Sequence, residues 1–156
     1  MGYYVDTLDF NIVITKDKFD KAIEHFHSLM TRVDECGRGG QFKDGEKVKT
    51  WYAWVTTSAV LEALDFEDKA QALIKAFREW GYEFEKTTDG SEIRSINLVC
   101  REMSKWGDDE HLWNAIAPVL DHNHYIRWCG EENDYWQYKF SDGTLNESSG
   151  QIVWSE

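Results

Sequence analysis

A chain of 156 residues with 42% hydrophobic content, 29% charged content and a single proline is sized and composed for one folded domain, residues 1–156. No apolar run approaches the ~18 residues of a membrane span, and the opening MGYYVDTLDF has neither the basic nor the apolar region of a signal peptide. The net charge of −12 works against direct nucleic-acid or anionic-membrane binding and favours a basic partner surface.

Cys36, Cys100 and Cys129 are widely spaced with no CxxC, which excludes a disulfide framework as the expected scaffold and fits a reduced, cytoplasmic setting. In chain order, Phe10 to Thr15 (FNIVIT) is a β-branched apolar run, predicted as a central strand. Thr15 is placed to cap a helix whose apolar stripe is Phe19, Ala22, Ile23, Phe26, Met30 and Val33. Cys36 to Thr50 has no periodicity, four Gly, and four Lys/Arg against two acids, so a long functional or mobile loop is expected. Trp51 to Thr56 (WYAWVT) alternates like a second strand, and Ser58 to Leu64 adds a helical turn.

Asp65 is read as the cap of the next helix. Phe66, Ala70, Leu73, Ile74 and Phe77 form its stripe, and Gly81 ends it in a left-handed cap. Tyr82 to Glu85 and Ile93 to Cys100 are predicted as a strand pair turned by Thr88-Asp89-Gly90. Asp108 and Asp109 open a third helix carrying Leu112, Trp113, Ile116, Ala117 and Leu120, with Pro118 bending its last turn. The chain ends in an aromatic meander. Ile126 and Trp128 share one face, Trp136, Tyr138 and Phe140 the next, and Ile152 and Trp154 the last. The fold class is therefore α+β: a single mixed, mainly antiparallel sheet, with ferredoxin-like elements and about three helices packed on one face.

Candidate chemistry is sparse. His122 and His124 share a strand face in this reading and are weak metal-ligand candidates without a third ligand, so no metal or other cofactor is expected. No GxSxG, HExxH, Walker or DxDxDG pattern occurs, and no catalytic residue is nominated. A weaker ligand reading places a cleft between the Gly-rich loop and the aromatic sheet, lined by Arg38, Gly39, Gly40, Trp54 and Trp128. It would make the chain a small nucleotide-binding domain or enzyme.

The favoured reading starts from charge. Glu102 to Glu156 holds eleven acids against three Lys/Arg, a net −8 in about a third of the chain. Asp108, Asp109, Glu110, Glu131, Glu132 and Asp134 are expected to form a partner-facing surface for a basic protein, in a chain that can also self-associate. The opening MGYYV and the ending W-x-G-E…Y-W…G-x-I-V-W resemble small acidic accessory proteins carried by phages and prophages. That resemblance implies an accessory protein that disarms a host system.

Overall fold

The computed structural model describes residues 3–102 and 105–155. Its backbone is one long bent strand. β1 (Tyr3–Asn11) and β2 (Val13–Thr15) are separated only by Ile12, whose carbonyl accepts a hydrogen bond from Leu98 N at 3.0 Å. β1 pairs with β8 (Tyr125–Gly130) on one edge and with β7 (Lys105–Trp106) on the other, while β2 pairs with β6 (Glu92–Arg101). Tyr3 lies opposite Trp106 and Val13 opposite Asn97, registers that differ by one residue. The segments β6 and β7 thus behave as one partner strand, parted from β1 along its middle.

The five-stranded sheet has the order β10-β9-β8-β1-β7, with β9 at Tyr135–Ser141 and β10 at Thr144–Gly150. The order β2-β6-β5 extends it, with β5 at Tyr82–Asp89. Every described strand pair is antiparallel, in line with the mainly antiparallel sheet expected from the sequence. The fold is α+β with one main, curled sheet.

Among the described residues there are five α-helices, where about three were expected. α1 (Phe19–Thr31) touches α3 (Thr57–Leu64), α4 (Lys69–Glu79) and α5 (Asp109–Ile116), and the single turn α2 (Val33–Cys36) follows it. Of the predicted stripes, Phe19, Ala22, Phe26 and Met30 on α1 and Ala70, Leu73, Ile74 and Phe77 on α4 are buried, Ile23 and Val33 are half-buried, and Phe66 lies before α4 and is exposed. Asp68, not Asp65, caps α4, accepting from Gln71 N at 3.2 Å. Gly81 has φ of 89°, the left-handed stop expected of it. Phe77 stacks on Phe84 at 4.2 Å and meets Phe26 edge-on at 5.0 Å. Trp113, Trp128, Tyr138 and Phe140 continue this core under the sheet, with Trp136 half-buried at its margin.

Three predicted elements differ, each for a local reason. Of WYAWVT only Trp51 is strand, the last residue of the hairpin described next, and the rest is a turn. Trp54 has φ of +67° and Val55 N bonds to Tyr52 O, so Tyr52 and Val55, three residues apart, reach the core from two sides of a bend. Cys36 to Thr50 is largely a hairpin, β3 (Gly39–Lys43) and β4 (Glu46–Trp51), turned by Asp44 and Gly45 with φ of 53° and 81°. The last strand is the polar TLNESSG. Its partner β9 ends at Tyr135, opposite Gly150, so Ile152 and Trp154 have nothing to pair with and are exposed.

Candidate functional site

Asp108 and Asp109 lie inside the protein, 2% and 5% exposed, so they cannot belong to the outer surface expected of them. Their placement follows from the gap between β1 and the β6–β7 strand. Arg101 ends β6 and turns its side chain into that gap, where its Nη1 donates to Val5 O at 2.8 Å and its Nη2 to Lys105 O at 2.7 Å. Its guanidinium sits 5.6–5.8 Å from the ring centres of Tyr82, Trp106 and Trp128. Asp109 answers the charge from the first turn of α5, with Oδ2 3.3 Å from Arg101 Nε. The same carboxylate accepts from Tyr82 OH at 2.5 Å and Gly107 N at 3.1 Å. Burial, reinforced by the Asp109 charge, pushes the Tyr82 hydroxyl well above its ordinary pKa, so it remains a donor.

Asp108 does different work. Its Oδ2 accepts from Arg38 N at 2.9 Å and Ala53 N at 2.8 Å, the two residues flanking the β3–β4 hairpin. One buried carboxylate thus clamps both roots of a projecting arm. Its Oδ1 has no hydrogen-bond partner among the described residues, with Arg38 Nε 3.5 Å away. The base is closed further by Trp54, whose Nε1 donates to Trp106 O at 3.4 Å and whose ring lies under the Lys105 ammonium.

Beyond this base the arm is exposed on both faces from Gln41 to Lys49. Gly39 and Gly40 open β3. A Cβ on Gly39 would collide with the Trp51 indole and one on Gly40 with the Lys47 stem, so these glycines let the cross-strand side chains lie flat. Arg38 and Trp54 meet at the arm's base, but Trp128 is fully buried in the aromatic core. The expected lining does not come together, because Trp128 lies in the core; the groove beside the arm, about 540 Å³, runs between β4 and the start of α3.

The remaining nominated acids are outside. Glu131, Glu132 and Asp134 occupy the β8–β9 turn and are all exposed, as is Glu110. Backbone bonds fix that turn: Gly130 N to Asp134 O at 2.9 Å and Glu131 N to Tyr4 O at 3.0 Å. Tyr3 OH donates to the Asp134 carboxylate, and this bond raises the phenol's pKa. Glu110 stands apart, near Glu147 and the Tyr138 hydroxyl, whose pKa is raised by burial first and by those acids second.

His122 and His124 precede β8 in a turn instead of sharing a strand face. His122 is exposed, while His124 is buried and its Nδ1 accepts from Asp121 N at 3.0 Å. No cluster of three metal-ligating side chains exists among the described residues. Burial holds the His124 pKa below its ordinary 6.5, despite the opposing pull of Asp121. A depressed folded-state pKa means that the unfolded chain takes up the proton first, so stability should fall as pH drops below ~6.5. Urea denaturation of the parent and His124→Gln across that range checks this: the variant should lose the part of the slope due to this group.

Arg101, Tyr82 and Trp106 carry the internal polar junction and were not legible as site residues. A lone arginine at a strand end has no spacing signal, and its partners lie far along the chain. No family model, curated protein or solved structure matches this chain. Among the described residues, no helix is long and apolar enough to cross a membrane.

Proposed function

We propose that this chain is an acidic protein-interaction module whose β8–β9 turn occupies a basic site on a protein partner, as an inhibitor or nucleic-acid mimic does. The observation that carries the reading is the turn itself. Three carboxylates, Glu131, Glu132 and Asp134, stand exposed within four consecutive positions, held by the backbone bonds to β1. Among the described residues no Lys or Arg forms an ion pair with any of them. Like charges at such spacing repel one another, and a basic partner relieves that repulsion. Because the turn is pre-ordered, little conformational entropy is lost on docking. The resemblance of the chain's two ends to phage accessory proteins supports a host protein as the target and an intracellular setting.

The triple reversal Glu131→Lys, Glu132→Lys, Asp134→Lys is the test. Thermal stability should change little, since all three are exposed. Binding to the partner captured from the source cell's lysate should weaken, and its dependence on salt should flatten. Equal affinity of parent and reversed protein at every ionic strength would reduce the acidic turn to a solubility feature.

A further inference from the structure

Three Asp-Gly pairs turn three hairpins in this chain: Asp44-Gly45 between β3 and β4, Asp89-Gly90 between β5 and β6, and Asp142-Gly143 between β9 and β10. The pair suits a tight hairpin because both residues tolerate positive φ. It is also the pair least hindered for a backbone reaction. The glycine amide nitrogen attacks the aspartate side-chain carboxyl carbon, water leaves, and a five-membered succinimide closes. Water then opens the ring at either carbonyl, returning aspartate or giving an isoaspartyl linkage, in which the backbone runs through the side-chain carboxyl. The water lost in the first step is regained in the second, so the mass is unchanged and no other reactant is needed. The ring closes only when the aspartate leaves its turn conformation, so the rate follows the free energy of local opening.

The three turns differ in what resists that opening. Asp89 is the last residue of β5, paired in register with Glu92, and its carboxylate is held by the Arg94 guanidinium. Ile93, three residues after Gly90, packs against the core. At Asp142-Gly143, Thr144 Oγ1 donates to Ser141 O at 2.7 Å across the turn, and a Cβ on Gly143 would lie 3.8 Å from Pro118 Cα. Phe140, two residues before Asp142, is buried.

Asp44-Gly45 has no such hold. The arm is exposed on both faces from Gln41 to Lys49, and Phe42, two residues before Asp44, is 65% exposed. Asp44 forms no ion pair among the described residues. Nothing lies within 4 Å of where a Cβ on Gly45 would stand. The ladder is also broken by a register shift between Gln41 and Phe42, close to the tip. A two-stranded hairpin without packing is marginal in water, so this tip opens at the lowest cost.

We propose that Asp44-Gly45 is a spontaneous modification site, where the folded chain isomerises to isoaspartate ahead of its other two Asp-Gly turns. The isoaspartyl form adds a carbon to the backbone of a two-residue loop, which then no longer brings Lys43 and Glu46 into register. The ladder at the tip comes apart, while Asp108 still holds the two roots of the arm. The acidic turn and its partner play no part in this inference.

The test is to age the purified full chain for weeks at body temperature and neutral pH, folded and in guanidinium chloride. Isoaspartyl and aspartyl peptides of equal mass are then separated by chromatography after digestion. In the folded chain Asp44 should isomerise ~10-fold or more faster than Asp89 and Asp142. In guanidinium chloride the three rates should converge, because only the local Asp-Gly pair then decides. During folded ageing a second set of amide resonances should grow in for the arm and not for α4 or β8. No product at Asp44, equal rates at the three turns, or a faster Asp89 or Asp142 in the folded chain overturns the proposal. An Asp44 that leads by the same margin in guanidinium chloride also overturns it, since the fold would then select nothing. Arm resonances that stay unchanged as Asp44 isomerises overturn the loss of the ladder.

Discussion

Arg101→Met should destabilise the protein by ~3–5 kcal/mol, the usual cost of leaving one member of a buried ion pair behind. For a domain of this size that corresponds to a fall in melting temperature of roughly 6–20 °C. The Arg101 side chain is 1% exposed and that of Asp109 is 7% exposed, so water cannot stand in for either partner. Removing the guanidinium leaves the Asp109 carboxylate, among the described residues, with Tyr82 OH and Gly107 N alone, and takes the guanidinium donors from the carbonyls of Val5 and Lys105. Arg101→Lys should recover only part of the loss. A single ammonium cannot reach two carbonyls and a carboxylate that are spaced for a planar fork.

The double replacement Arg101→Met, Asp109→Leu should be less destabilised than Arg101→Met, because it removes the stranded charge as well as its partner. Urea unfolding of the parent, the two single variants and the double closes the cycle. A single Arg101→Met variant as stable as the parent would mean that the gap between β1 and β6–β7 admits water.

This junction also shows where sequence reading stops. The stripes of α1 and α4 were legible because burial on one side imposes a 3.6-residue period, and the aromatic strands β8 and β9 were legible because the sheet has one buried face. The β3–β4 arm has no buried face, so nothing in its sequence alternates. Asp108 and Asp109 looked like exposed acids favouring a helix dipole, since that pattern is common at helix starts. Their inward turn is decided by groups distant in sequence. Arg38 N and Ala53 N come from 70 and 55 residues away, and Tyr82 OH from 27. Glu131, Glu132 and Asp134 were placed on an exposed turn by the local chain alone, and the structure leaves them there.

Asp108→Ala should free the arm. Two amides, on Arg38 and Ala53, lose their shared acceptor, and each unmet buried donor costs ~1–3 kcal/mol. The expected global loss is therefore roughly 2–5 kcal/mol, reduced where water enters at the exposed Arg38 side. The larger signal is local. The amides of Gly39 to Trp51 should exchange hydrogen much faster, while those of α4 and β8 change only by the global loss. Asp108→Asn should be milder, since its carbonyl oxygen can still accept at the Oδ2 position and, among the described residues, the charge itself is met only by Arg38 at 3.5 Å. Arg38→Ala should cost less than ~1 kcal/mol, because its side chain is 69% exposed and the backbone donor survives. An order with Asp108→Ala worst, Asp108→Asn intermediate and Arg38→Ala least separates clamping by the carboxylate from a simple ion pair. Arm amides in Asp108→Ala that exchange at the parent's rate would show that the hairpin is held by its own ladder and by α2, with the carboxylate incidental to it.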